Sequence, residues 1–141
     1  MAVHTRLLKK EIFKILDGYN IGKLVGFNGI KEGIENTNYK ILTTKGIYIL
    51  TVFEERVNES NLPFFLKLML NSKKKKISCP RPIKDLKGNF INDFNLKKFS
   101  IFSFLNGKSK KNWSSKDCFV VGKTLANFHL INKSFSIKAK N

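Results

Sequence analysis

Apolar residues recur every three to four positions in some stretches of the chain and every second position in others. The first spacing is typical of amphipathic helices and the second of strands that bury one face. The predicted elements are a helix over 5–16, strands over 23–27, 36–44 and 47–53, a helix over 61–70, a hairpin over 83–93, a strand over 98–105 and a helix from Ser114. Because helices and strands are segregated along the chain, the pattern predicts an α+β fold rather than a doubly wound sheet.

The two longest predicted strands are expected to form a hairpin. Lys45-Gly46 lies between them and is a tight-turn signal, and a two-residue turn there places Lys40 directly opposite Thr51. Side chains alternate between the two faces of a strand, so Ile49 shares a face with Lys40 and Thr51. The apolar side chains of the other face are assigned to the core: Tyr39, Ile41, Leu50 and Val52.

Local signals mark the later helices. Pro63 fits the first turn of the helix over 61–70, where its missing N–H is harmless, and the apolar stripe of that helix is 62, 65, 66 and 69. The four lysines at 73–76 fit either a solvated helix end or a nucleic-acid patch. Ser114 followed by Asp117 resembles a capping box, and the inner face of that helix is predicted at 120, 121, 125, 128 and 129.

Composition narrows the function classes. With 141 residues and 42% hydrophobic content, the chain has the size and apolar content of a single packed domain. Cys79 and Cys118 are too few for a disulfide scaffold, which favours a reducing cytoplasm, and no apolar run approaches the ~18 residues of a membrane span.

The net charge of +17 is concentrated in the second half of the chain, since 18 basic and 3 acidic residues follow position 60. A basic module that binds nucleic acid or another polyanion is therefore an alternative to any enzymatic interpretation. Only three of the 27 cations are arginines, however, and this lysine bias argues against base reading by bidentate contacts.

The segment between the first two strands contains Gly29 and Gly33, followed by the short polar residues Asn36, Thr37 and Asn38. Backbone N–H groups of such a segment are suited to wrap phosphates. The spacing matches neither the Walker pattern nor G-x-G-x-x-G, so an ordinary strand connection fits it as well.

Six segments, in this order, resemble bacterial homoserine kinases of the aminoglycoside-phosphotransferase-like type: 29–39, 43–54, 61–66, 79–82, 104–107 and 125–129. The resemblance covers about residues 1–135. It implies a two-lobed, protein-kinase-like fold that transfers the γ-phosphate of ATP to the hydroxyl of L-homoserine with the help of Mg²⁺, a step toward threonine. It also implies that residues 1–105 are the N-terminal, ATP-binding lobe, 106–113 a linker, 114–132 the first helix of a C-terminal lobe and 133–141 a tail.

The resemblance further implies the roles of individual residues. The phosphate-covering loop would contain Gly29, Gly33, Asn36 and Asn38, and the hinge that meets adenine would be Ser103, Phe104 and Leu105 with Phe102 before them. Kinase-like folds place a phosphate-binding lysine on the third strand. Thr51 occupies that position here, so Lys40 would supply the charge from the neighbouring strand if it is not simply a solvated lysine, and Ile49 would pack under adenine.

Phosphoryl transfer also needs a carboxylate that orients the acceptor and groups that hold Mg²⁺. After Leu105 the only acidic residue is Asp117, at a predicted helix start. We therefore expect no catalytic or metal-binding residue in this chain. Both sites would lie in a missing C-terminal lobe, which belongs either to a longer form of the chain or to a separately encoded partner. The chain alone, as a truncated piece, is expected to be inactive.

Overall fold

The computed structural model describes residues 3–32, 34–54 and 58–137. Its helices are α1 (Lys9–Leu16), α2 (Leu62–Lys74) and α3 (Ser115–Asn132), and its strands are β1 (Leu24–Ile30), β2 (Asn36–Thr43), β3 (Gly46–Phe53), β4 (Pro82–Ile83), β5 (Asn92–Phe94) and β6 (Lys97–Ser103). In this part of the chain the strands form one antiparallel sheet in the order β1-β2-β3-β6-β4, with β5 also paired to β6. The expected α+β class is confirmed.

One of the two faces of the central strands forms the hydrophobic core. The face that carries Tyr39, Ile41, Leu50 and Val52 is buried against α1, as the alternation predicted. Side chains from α1 and from the chain on either side of it complete this core: Leu7, Ile12, Ile15, Leu16, Tyr19 and Ile21. Full burial of one aliphatic side chain stabilises the fold by about 1.5–3 kcal/mol, so this face holds the lobe together.

The predicted register of the β2–β3 hairpin is wrong by two residues. Thr43 pairs with Gly46, so the turn is Thr44-Lys45 and Lys40 lies opposite Ile49 rather than Thr51. Gly46 begins β3 with a φ of +147°, a backbone conformation that favours glycine. Because a shift of two positions keeps every side chain on its face, the assignment of core and opposite face is nevertheless confirmed.

Contacts with residues 20–23 explain the position of this turn. The Thr43 hydroxyl donates to the Ile21 carbonyl at 2.5 Å and accepts from the Lys45 N–H at 3.1 Å. The Lys45 ammonium donates to Asn20 Oδ1 at 2.5 Å. The turn is therefore determined by a neighbouring segment of the fold, which the Lys-Gly dipeptide alone does not reveal.

The hairpin predicted over 83–93 is also wrong. A turn does form there, since Asp85 Oδ1 accepts from the N–H groups of Lys87 and Asn89 at 2.9 and 2.7 Å. The flanking strands β4 and β5 do not pair with each other, however, but lie one after the other along the same edge of β6. β1 also differs from prediction, because pairing with β2 carries it through Asn28-Gly29 as far as Ile30.

α2 begins at Leu62 with Pro63 in its first turn, as predicted, and buries Leu62 and Leu66, although Phe65 is largely exposed. The capping box of α3 is confirmed: the Ser114 hydroxyl accepts from the Asp117 N–H, and the Asp117 carboxylate accepts from the Ser114 N–H. None of the helices in the described ranges is long and apolar enough to cross a lipid bilayer.

Most of the inner face predicted for α3 is left uncovered by the described part of the chain, and only Phe128 of that face is half-buried. Val120, Val121 and Leu125 are each more than half exposed, and His129 is exposed as well. Periodicity shows which side of a helix is apolar but not what covers it. α3 is attached to α2 near its C-terminal end, where Asn71 donates to Asn132 Oδ1 at 2.7 Å.

A polar cluster joins the N-terminal segment to the sheet. Glu54, directly after β3, accepts hydrogen bonds from the hydroxyls of Thr5 and Thr37 at 2.7 and 2.6 Å and forms an ion pair with Lys97. Burial acts to raise the pKa of Glu54, but the hydrogen bonds from Lys97, Thr37 and Thr5 outweigh it and hold the pKa below its ordinary value of 4.5.

We expect Glu54→Gln to lower the free energy of unfolding by about 1–3 kcal/mol at pH 7. Because the pKa of Glu54 is depressed in the folded state, its ionisation stabilises the fold fully above pH 4.5, and this contribution is lost as the pH falls through the folded-state pKa. Denaturant titrations at several pH values should therefore show the gap between wild type and variant narrowing below pH 4.5. The control is Glu32→Gln, at an exposed position. A gap that stays constant down to pH 3 would contradict the role given to this carboxylate.

Candidate functional site

The face of the sheet opposite the core gathers five of the ten predicted site residues. Asn36, Asn38 and Lys40 project from β2 on this face, and Ile49 and Thr51 project from β3. The register puts Asn38 opposite Thr51 and Lys40 opposite Ile49. We call this surface the cleft face. Its residues come together because the alternation that buries the core leaves every second side chain on the other side.

Thr51 is nearly buried, with 8% of its surface exposed. Its hydroxyl donates to Asn38 Oδ1 at 2.7 Å across the two strands. Thr51 also pairs with Ser100 of β6, whose hydroxyl donates to the Phe90 carbonyl at 2.8 Å. The position that the resemblance equated with a phosphate-binding lysine is therefore a neutral, hydrogen-bonded and enclosed one.

Lys40 carries the positive charge of the cleft face. Its side chain is exposed, and its ammonium lies 4.7 Å from the centroid of the Phe104 ring. An ammonium at this distance from an aromatic ring is attracted by the electrons of the ring face, with an energy of about 0.5–1 kcal/mol at exposed sites. Lys40 is thus held near the predicted hinge, diagonal to Thr51 rather than facing it.

The predicted hinge begins at the end of β6. Two of its three backbone N–H groups already donate hydrogen bonds. The Ser103 N–H donates to the Arg81 carbonyl at 2.8 Å, and the Phe104 N–H donates to the Ile47 carbonyl at 3.4 Å. Leu105 makes no hydrogen bond with any residue that the structure describes. Among the three hinge residues, Leu105 therefore offers the N–H that is open to a ligand.

The segment predicted to cover phosphates is shorter than expected. Gly29 does not lie in a loop but in β1, where it pairs with Tyr39. A Cβ built on Gly29 would lie 3.0 Å from Val3 Cγ2 and 3.6 Å from the Tyr39 ring, so this position faces the core side of the sheet and not the cleft face. The connection between β1 and β2 is limited to 31–35, and Gly33 lies outside the described residues.

Sequence reasoning missed a cavity of about 360 Å³ beside the cleft face. Its walls combine Asn36, Phe53 and Phe102 of the sheet with Leu62, Leu66 and Met69 of α2. Asn36 lines this cavity, and its Oδ1 atom is buried without a hydrogen-bond partner in the described ranges. The apolar stripe of α2 indicated that this helix packs on something, but no sequence signal identified the cleft face as its partner.

The antiparallel sheet, with α1 on one face and α2 beside the other, has the architecture of the N-terminal lobe of kinase-like phosphotransferases. The model of the phosphotransferase enzyme family matches residues 26–139, and this chain belongs to that family.

Curated relatives match over the entire chain. The homoserine kinases of Rhizobium meliloti, Chelativorans sp. and Agrobacterium fabrum are 38%, 40% and 39% identical to it over all 141 residues. The match takes up 43–44% of the length of each of these relatives, so the chain spans less than half of them.

Solved structures share the fold. A spectinomycin phosphotransferase, solved with ADP and spectinomycin, superimposes on 90% of this chain and 39% of its own with a TM-score of 0.70. An amicoumacin kinase, solved with AMP-PNP and Ca²⁺, superimposes on 94% of this chain and 42% of its own with a TM-score of 0.77. Both are 14% identical to it, a level at which the likeness concerns the fold alone. The expected kinase-like N-terminal lobe is confirmed.

We expect the Asn38–Thr51 hydrogen bond to stabilise the lobe by about 1 kcal/mol. Thr51→Val keeps the shape of the side chain but leaves Asn38 Oδ1 without this donor. A double-mutant cycle with Thr51→Val and Asn38→Ala, followed by urea unfolding, measures the coupling between the two side chains. Additive effects of the two substitutions would mean that the contact does not stabilise the protein.

Proposed function

We propose that this chain is the nucleotide-binding portion of a homoserine kinase, which transfers phosphate from ATP to the hydroxyl of L-homoserine in threonine biosynthesis. The observation that carries the proposal is the agreement of the curated relatives, which bear this name and align with the chain from end to end. Membership of the phosphotransferase family supports the reaction class. The division into an ATP-binding lobe over 1–105, a linker over 106–113, a first C-terminal-lobe helix over 114–132 and a tail over 133–141 belongs to the same proposal.

The cleft face and hinge are suited to ATP. Leu105 supplies an open N–H for the adenine edge, and Ile49 supplies an apolar surface on the cleft face for the ring. Lys40 supplies a positive charge for the phosphates, with Asn36 and Asn38 as polar neighbours on β2. In this proposal the 31–35 connection, including Gly33, covers the phosphates, while Gly29 supports it from β1 and Thr51, Ser103 and Phe104 shape the wall of the cleft.

We assign Mg²⁺ no ligand among the residues that the structure describes. Among the described residues there is no group of three His, Cys, Asp or Glu side chains that would hold a metal ion. We therefore place the Mg²⁺ ligands and the carboxylate that orients L-homoserine in the portion of the relatives that lies beyond the match, whether it is joined to this chain or supplied by a second one. This chain's own contribution is to bind and orient the nucleotide.

A second function, binding of a polyanion, is favoured by one observation. The basic excess of the chain lies after position 60, and the lysines at 73–76 at the end of α2 are all exposed. Contacts of this kind release counterions, so their affinity falls steeply as salt rises. Recognition by the cleft face, in contrast, depends on the adenine ring.

We expect the chain to bind ATP weakly, with a Kd of about 0.1–1 mM, and GTP more weakly still. Lys40→Met should raise the Kd for ATP about threefold to tenfold and leave that for adenosine unchanged, because one ammonium–phosphate attraction is lost. Isothermal calorimetry at two salt concentrations measures both effects, with Lys14→Met on α1 as the control. Equal, salt-sensitive heats for ATP and GTP would favour the polyanion function instead.

We expect the purified chain to transfer no measurable phosphate to L-homoserine. Positioning and charge stabilisation provide nearly all of the catalysis in phosphoryl transfer, and a lobe that only binds nucleotide leaves the barrier almost unchanged. A coupled assay of ADP release, with and without L-homoserine, measures this. Addition of the remaining portion of the enzyme, in cis or as a second chain, should restore transfer that depends on both substrates. Turnover by this chain alone would contradict our placement of the catalytic groups.

A further inference from the structure

Residues 3–8 lie across the end of the sheet from which the β1–β2 connection emerges. We call this segment the strap. Its backbone is bound to β2 at two side chains. The N–H groups of His4 and Thr5 both donate to the Thr37 hydroxyl, at 2.9 and 3.0 Å. The Tyr39 hydroxyl accepts from the Leu7 N–H at 2.8 Å and donates to the Thr5 carbonyl at 2.9 Å.

Thr37 uses its full hydrogen-bonding capacity in this arrangement. A hydroxyl donates one hydrogen bond and accepts two, and Thr37 accepts from two strap N–H groups while it donates to Glu54. The side chain is completely buried, so a lost partner there leaves a polar group without water. Glu54 also accepts from the Thr5 hydroxyl, which in turn accepts from Lys97 at 2.8 Å. The strap is thus bound to β2, to Glu54 directly after β3 and to β6.

The strap also packs on β1 at Gly29. A Cβ at this position would come within 3.0 Å of Val3 Cγ2, closer than side chains ordinarily approach. Gly29 is the next-to-last residue of β1, and Thr37 is the second residue of β2. The strap therefore holds both stems of the 31–35 connection, one by close packing and the other by hydrogen bonds.

We propose that the strap is a positioning element that fixes the two stems of the β1–β2 connection, the end of β1 and the start of β2, for phosphate binding. This inference rests on the proposed function, in which that connection covers the phosphates of ATP. A connection whose two stems are immobilised loses less conformational freedom when a ligand orders it, so its affinity for the ligand is higher. Gly29, Thr37 and Glu54 thereby act on the nucleotide through the connection and not by touching it.

The test fills the space that Gly29 leaves for the strap. Gly29→Val pushes against Val3, and Val3→Ala in the same chain relieves the pressure. Gly26→Val is the matched control, because a Cβ at Gly26 on the same strand meets nothing within 4 Å. Thr37→Val, which removes the hydroxyl, is compared with Thr37→Ser, which keeps it. Hydrogen exchange of the 31–35 amides and the Kd for ATP are measured for each.

We expect Gly29→Val and Thr37→Val to speed amide exchange in the connection about tenfold without global unfolding. The Kd for ATP should rise about threefold to tenfold in both. Gly26→Val, Thr37→Ser and the Gly29→Val/Val3→Ala double variant should resemble wild type in both measurements.

The proposal would be overturned if the amides of the connection exchange at the same rate in Gly29→Val as in Gly26→Val. It would also be overturned if adding Val3→Ala to Gly29→Val does not restore the wild-type exchange rate. Failure of the wild type to bind ATP would refute the proposed nucleotide site, whereas the exchange rates would still decide whether the strap orders the connection.

Discussion

The burial of one face of the β2–β3 hairpin is the constraint on which the rest of the lobe depends. Ile41, Leu50 and Val52 are completely buried there, and Ile101 of β6 extends the same surface. Side chains alternate strictly along a strand, so a register slip of one residue would expose all of them at once. Because of the same alternation, the residues between these buried positions lie on the opposite face of the sheet. The cleft face is therefore a geometric consequence of the core and needs no separate folding signal.

Much of the lobe was predictable because its signals are local. The two-residue period assigned core and cleft faces correctly, and Ser114 with Asp117 marked the start of α3. The register was not predictable, because the turn is selected by contacts of Thr43 and Lys45 with residues 20–21. The edge strands β4 and β5 were missed for a related reason. Their pairing depends on β6, which follows them in the chain. Both strands form hydrogen bonds with the same edge of β6.

The strap and its polar cluster could not be predicted from the sequence. Thr5, Thr37, Glu54 and Lys97 are spread over 93 positions, and none of them belongs to a motif that connects it with the others. Their proximity exists only after the sheet has formed. Gly29 illustrates the same point, because a glycine near a loop suggests phosphate binding by pattern alone. Its surroundings instead show a position where a Cβ would approach Val3 of the strap within 3.0 Å and the Tyr39 ring within 3.6 Å.

A neutral pair, Asn38 and Thr51, lies at the position that the resemblance equates with the phosphate-binding lysine of kinases. In protein kinases the lysine of the third strand forms an ion pair with a glutamate of the adjacent helix. α2 contains no acidic residue, so this helix would offer no ion-pair partner to a lysine at the nearly buried position 51. Thr51 and Asn38 satisfy each other without charge. Neither a lysine at position 51 nor an acidic residue in α2 is present, and the positive charge on the cleft face lies on the exposed Lys40, beside the Phe104 ring.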